Sequence, residues 1–184
     1  MPKKLISEAN RNLKKINKHL MDKARKIKLV LTDNDGVLTD TGVYYSEEGE
    51  IFKRFSIRDG MGVERLRKEL DIETGIITGE ISGSIKKRAE KLRIKELLLG
   101  VAEKHLLLPE IIDRHNIKPE NVAYIGDDLN DIKLMKLVGL TASPADGMAE
   151  IRSMVDYVCE QKGGHGAFRE FAELIITIKK SDKK

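Results

Sequence analysis

The sequence predicts an α/β fold, a doubly wound parallel sheet with a projecting β-hairpin and no cap domain. Three observations predict it. Short apolar runs without polar alternation recur along the chain, as strands buried on both faces of a parallel sheet require. Stretches of helical periodicity separate those runs. One segment, GVYYSEEGEIFKRF (42–55), breaks the rhythm with two β-rich arms around the polar turn SEEGE, which marks a hairpin.

In chain order, Ile6, Ala9, Leu13, Ile16 and Leu20 lie on one side of a predicted helix over 5–22, and we assign 1–26 to a basic amphipathic helical segment. Residues 1–28 hold ten Lys and Arg against Glu8 and Asp22, a net of +8. The whole chain carries +4, so the remainder carries −4. This local basicity has no aromatic residues to stack on bases, which argues against a nucleic-acid partner. Without bulky aromatics the stripe suits docking onto the domain or a neighbouring subunit at least as well as a membrane surface, and no membrane partner is expected. IKLVLT (27–32) opens the sheet, followed by IETGIIT (72–78), ELLLG (96–100), NVAYIG (121–126), GLTAS (139–143) and DYVCE (156–160). Helices are predicted at GVERLRKEL (62–70), SIKKRAEKL (84–92), 103–115 and DIKLMKLV (131–138). The enzyme-sized unit spans 27–178, and the lysine-rich 179–184 is expected to fray.

The chain's 184 residues suffice for one core, and 40% hydrophobic against 35% charged residues is an ordinary soluble composition. Its apolar runs fall well short of the roughly 18 to 20 residues a membrane helix needs. The first residues carry charges where a signal peptide has its apolar stretch, so a cytoplasmic location is expected. Cys159 is the only cysteine, which excludes an internal disulfide and a thiolate metal site.

Polar residues cluster at the ends of four predicted strands: Asp33 and Asp35, then Thr78 and Gly79, then Lys104, then Asp127, Asp128 and Asp131. Singly, each is an ordinary turn former, cap or surface charge. Together, that many carboxylates at one sheet edge repel one another unless a cation sits among them. Without accompanying His or Cys, the oxygen donors suit Mg²⁺. Such a set fits phosphoryl transfer, which asks a protein for alignment and charge neutralisation. Asp33 can be the nucleophile and Asp35 the acid that protonates the departing alkoxide and later activates water. Thr78 and Lys104 can bind phosphoryl oxygens. Gly36 relieves the backbone leaving the first strand.

DNDGVLTD (33–40), IITG (76–79), Lys104 and YIGDDLND (124–131) resemble, in order, the four motifs of the haloacid dehalogenase superfamily. Within it the chain is similar to the capless phosphatases of 3-deoxy-D-manno-octulosonate 8-phosphate (KDO 8-phosphate), through DGVLTD, the hairpin, FSIRDGMGVERL (55–66), TGE with KKRAEKL, and GGHGAFREF (163–171). The resemblance implies Mg²⁺ on the side chains of Asp33 and Asp127 and the backbone carbonyl of Asp35, with Asp128 and Asp131 in support. It also implies a small anionic sugar-phosphate substrate and a homotetramer with sites at subunit interfaces. Two positions depart from the subgroup. Asn34 replaces an apolar residue, and alternation predicts that its side chain points away from the catalytic pair. Glu80 replaces Arg, as in phosphatases of nine-carbon 2-keto sugar acids, so those 9-phosphates are the alternative substrates.

Only 44 residues separate Asp33 from Thr78 and 48 separate Thr78 from Asp127, too few for a cap domain. A neighbouring subunit's hairpin or 163–171 segment is therefore a candidate cover. The plainer reading of 163–166 is a flexible glycine turn before a last helix. Arg58, Glu80, His165 and Arg169 are candidate substrate contacts, and Lys53 and Arg58 near the hairpin base could attract an acidic sugar or simply be solvated. Rival readings are a receiver domain, a sugar phosphomutase and a catalytically silent binding or regulatory subunit of the same fold. A receiver places its phosphorylated Asp mid-chain and its Lys last, a mutase normally needs a cap, and a silent binder need not keep both Asp33 and Asp35.

Overall fold

A computed structural model describes residues 17–181. Helix α1 (Lys18–Lys26) is capped by Asn17, whose side chain accepts from the Leu20 amide. The remaining elements are β1 (Leu29–Thr32), β2 (Thr39–Ser46), β3 (Gly49–Phe55), α2 (Ile57–Leu70), β4 (Glu73–Ile77), α3 (Gly83–Leu92) and β5 (Glu96–Leu98), then α4 (Leu108–Arg114), β6 (Val122–Ile125), α5 (Ile132–Met135), β7 (Leu140–Ser143), α6 (Ala149–Met154), β8 (Tyr157–Val158) and α7 (Ala167–Ser181). Short 3₁₀ turns occupy Lys104–Leu107 and Leu129–Asp131.

Six strands form one sheet in the order β5-β4-β1-β6-β7-β8, every pair parallel. The side chains of β1 alternate between two cores. Val30 joins a layer with α1, α2, α3 and α7, whereas Leu29 and Leu31 join a layer with α4, α5 and α6. The strands are thus apolar throughout because both faces are covered. The chain reverses direction of winding at β1, whose neighbours are β4 and β6, and such a switch opens a crevice at the carboxyl ends of the strands. β2 and β3 pair antiparallel as a separate hairpin, with Tyr44 stacked on Phe52 at 4.4 Å between ring centroids.

Several expectations need correction. The helix near the start runs through Lys26, and Leu20 and Ala24 are buried in the main core; Ile6, Ala9, Leu13 and Ile16 lie outside the described residues. α2 begins at Ile57, because Ser56 caps it by accepting from the Arg58 and Asp59 amides. The segment 149–154 forms a helix that no clear apolar period announced. At the other end α7 continues to Ser181, held by Lys179 Nζ donating to the Arg25 carbonyl at 2.6 Å and by a Lys180–Glu69 ion pair, where fraying from 179 was expected.

The segment 163–171 is neither a flexible turn nor a free cover. Ala167, Phe168 and Phe171 are fully buried in the chain's own core. Gly164 donates its amide to the Val37 carbonyl at 2.9 Å. A Cβ on Gly163 would lie 1.9 Å from the Gly36 carbonyl oxygen, so this close approach requires glycine. Asp59, buried on α2, anchors the start of α7 by accepting from the amides of Gly166 (3.1 Å) and Arg169 (3.0 Å).

Candidate active site

The crevice gathers residues that immediately follow three adjacent strands. Asp33 follows β1, and its amide extends the ladder by donating to the Ile125 carbonyl at 3.0 Å. Thr78 follows β4 and donates its amide to the Leu98 carbonyl at 3.0 Å. Asp127 follows β6 after Gly126. Lys104, in the 3₁₀ turn beyond β5, is buried, and its ammonium lies 2.7 Å from both Asp33 Oδ2 and Asp131 Oδ1. Tyr124 donates its hydroxyl to the same Asp131 oxygen at 2.6 Å, and Asp131 Oδ2 accepts from the amides of Asp127 (3.0 Å) and Asp128 (3.3 Å). Asp131 is therefore fully occupied in orienting its neighbours. Burial first, then the charges of Asp131 and Asp33, hold the Tyr124 phenol well above its ordinary pKa, so it remains a donor.

Carboxylate oxygens of Asp33, Asp127 and Asp131 lie within 4.8 Å of one another. Lys104 is the cation paired with two of them, so the cluster is short of positive charge. The consequence is electrostatic. Burial, and then the charges of Asp33 and Asp131, push the Asp127 carboxyl up to about 8. Burial also pushes Asp33 up to about 7, against the lowering effect of Lys104 and with Asp131 raising it further. Without a metal the cluster keeps protons where a divalent cation would satisfy it. Gly36, whose φ is +78°, leaves room for the Asp127 carboxylate to enter this cluster, since a Cβ there would sit 1.9 Å from Asp127 Oδ2. An all-oxygen donor set of this kind fits a hard divalent ion.

Asp35 lines the same crevice. Its Oδ2 accepts from Lys53 Nζ on β3 at 2.7 Å, and its Oδ1 accepts from Thr39 Oγ1 (3.1 Å) and Asn34 Nδ2 (3.2 Å). The Asn34 side chain thus turns toward the acidic pair, opposite to expectation, because the chain leaves β1 here and strand alternation no longer applies. The cavity, of about 290 Å³, is lined by Asp33, Asp35, Thr78, Gly79, Glu80, Asp127, Asp128 and Asn130, together with Thr41, Val43, Tyr45 and Lys53 of the hairpin.

Residues 45–170 match the model of the haloacid dehalogenase-like hydrolases. The chain belongs to that family. This haloacid dehalogenase-like hydrolase is 38% identical, over 88% of its length and 85% of the relative's, to the 3-deoxy-D-manno-octulosonate 8-phosphate phosphatase of Salmonella typhi. The corresponding phosphatase structure from Yersinia pestis is 36% identical and superposes with a TM-score of 0.86, covering 91% of this chain and 90% of that one. A Moraxella catarrhalis phosphatase, solved with magnesium ion, phosphate ion and KDO, is 35% identical with a TM-score of 0.83, covering 89% and 94%.

Four sequence candidates for substrate contact fare differently in this haloacid dehalogenase-like hydrolase. Glu80 lines the cavity. Arg169 does not, because its guanidinium is engaged by Glu173 one turn along α7 at 2.8 Å. His165 is turned aside, its ring bonded to the Gly163 carbonyl (2.7 Å) and to Arg54 (3.0 Å). Arg58 is exposed on the first turn of α2, away from the cavity lining. Lys53, read as a cation for an acidic sugar or a solvated residue, is not solvated: it lines the cavity, buried on Asp35, with Glu50 3.6 Å away. Sequence reasoning missed Tyr124, Thr39, Thr41, Val43, Tyr45 and Asn130. A signal existed for Lys53, which stands two residues before the core-facing Phe55 and so shares its face of β3.

Proposed function

We propose that this protein is a magnesium-dependent phosphatase that hydrolyses KDO 8-phosphate to KDO and inorganic phosphate. The observation that carries this reading is that Asp33, buried against Lys104, and Asp35, held by Lys53, line one cavity. The similarity to KDO 8-phosphate phosphatases over most of both chains supports the substrate.

The Asp33 and Asp127 side chains and the Asp35 backbone carbonyl would hold magnesium, which would neutralise phosphate charge so that a carboxylate could approach it. Asp33 attacks phosphorus and the bond to the sugar oxygen breaks, leaving an aspartyl phosphate. Asp35 gives its proton to the departing alkoxide. It then takes a proton from the water that attacks phosphorus, releasing phosphate and regenerating Asp33. Thr78, Gly79 and Lys104 serve the nonbridging oxygens. Asp131 holds Lys104 in place, and Asp128 supports the loop, its side chain accepting from the Leu129 amide.

The same reading includes a homotetramer working in the cytoplasm. Support for assembly comes from the hairpin's exposed apolar surface, where Tyr44, Tyr45, Ile51 and Phe52 are each at least half exposed. No helix among the described residues is long and apolar enough to cross a membrane.

Glu80 in the cavity favours a second substrate reading, a nine-carbon 2-keto sugar acid 9-phosphate. The test is phosphate release with Mg²⁺ from KDO 8-phosphate, nine-carbon 9-phosphates, hexose phosphates and a nucleotide, with a chelator control. A chelator-sensitive preference for KDO 8-phosphate is expected. Preference for a nine-carbon ester would transfer the assignment to that class, and no release from any substrate would overturn both.

A further inference from the structure

We propose that Asn34 is a positioning residue, whose side-chain amide joins Thr39 in fixing the Asp35 carboxylate for proton transfer to the leaving oxygen. The inference rests on the reading of Asp35 as the general acid. Its starting point is an anomaly. Asn34 is 0% exposed, and its Oδ1 has no hydrogen-bond partner. Burying an unpaired acceptor is costly, and an apolar residue would fill the same place without that cost.

The amide cannot relieve the problem by flipping, because that would set Oδ1 against the Asp35 carboxylate oxygen now 3.2 Å from Nδ2. What the residue gains is that one contact. Asp35 Oδ1 receives Asn34 Nδ2 and Thr39 Oγ1, which use both its lone pairs, while Oδ2 receives only Lys53 Nζ. Oδ2 is therefore the oxygen left with a lone pair for the proton in transit. As the phosphorus–oxygen bond to the sugar breaks, that proton passes from Oδ2 to the alkoxide. The main chain of Asn34 ties in the nucleophile as well, its amide donating to Asp33 Oδ1 at 2.6 Å. One residue thus sets the relative placement of both carboxylates.

The experiment compares KDO 8-phosphate, whose alkoxide needs a proton to leave, with 4-nitrophenyl phosphate, whose phenolate does not. For Asn34→Val, kcat/KM, which ends at release of the alcohol and so leaves out the later step in which Asp35 activates water, should fall about tenfold on the sugar ester and less than about twofold on the aryl ester. Thr39→Val, nearly isosteric, should show the same asymmetry. Thermal unfolding of Asn34→Val should occur at a higher temperature than in the parent, since the orphan acceptor is gone. Equal losses on both esters would mean a merely structural role and would overturn the proposal, as would no effect. Asp35→Asn separates the two levels. If it shows the leaving-group asymmetry and Asn34→Val does not, only the positioning role falls; if Asp35→Asn lacks the asymmetry, the general-acid reading falls and takes the positioning role with it.

Discussion

Gly36 shows how much of the site depends on an absent side chain. A Cβ there would overlap Asp127 Oδ2 at 1.9 Å, and the backbone φ of +78° already disfavours any other residue. Gly36→Ala should lower magnesium-dependent phosphate release about 10²-fold, by pushing a metal-binding carboxylate aside. Circular dichroism should show the fold retained. A second residue-scale expectation concerns protons. Asp33 and Asp127 are raised from 3.8 to about 7 and about 8, so the metal-free fold holds protons that the unfolded chain has released. The stability these protons confer is complete at acid pH and is lost as pH rises through that window. Magnesium must displace the same protons. The rise in unfolding temperature on adding Mg²⁺ should therefore be small near pH 6 and larger near pH 8.5, whereas a pH-independent increment would place the metal elsewhere. Asp33, Asp35, Thr78, Lys104 and Asp127 were visible in the sequence because each lies at or shortly past the end of a predicted strand, and parallel strands deliver their ends to one edge. The contacts that Asn34 and Lys53 make with Asp35 were not. Asn34 sits where strand periodicity has just ended, and Lys53 reaches Asp35 only because a hairpin folds back across eighteen residues.

Among the elements, α7 has the largest structural role relative to its sequence signal. Its first turn is held by Asp59, a carboxylate forced into the interior and raised by burial, though backbone amides from Arg169 and Gly166 work the other way. Asp59→Ala should cost about 2 to 4 kcal/mol, because two buried amides lose their acceptor. Urea unfolding would measure it, and a change below about 0.5 kcal/mol, the scale of an ordinary surface substitution, would refute the anchoring role. The parallel strands were legible as short apolar runs, and the hairpin as two β-rich arms around a polar turn. The seating of 163–171 was not, because closely spaced glycines read equally as mobility or as close approach. Packing against Gly36 and Thr39 decided between them. Helix α6 escaped notice because only Ile151 of its six residues is buried, leaving no apolar period to detect.

On the scale of the whole molecule, the alternation of buried runs with helical stretches made the doubly wound architecture readable, and the short intervals between motifs excluded a cap. Assembly was less accessible, since exposed apolar residues on β2 and β3 identify a face but not its partner. Phe52→Arg should convert a tetramer to smaller species in sedimentation experiments and reduce turnover of the sugar ester more than that of a small aryl ester. A tetramer unchanged by it would move the interface off the hairpin. The contact between Gly164 and Val37 has a further consequence for the protein's synthesis. The loop bearing Asp33 leaves the ribosome well before the backbone that clamps it. A nascent chain therefore holds Asp33 and Asp35 on an unfastened loop until Gly164 has emerged, and a product that stops short of it should release no phosphate.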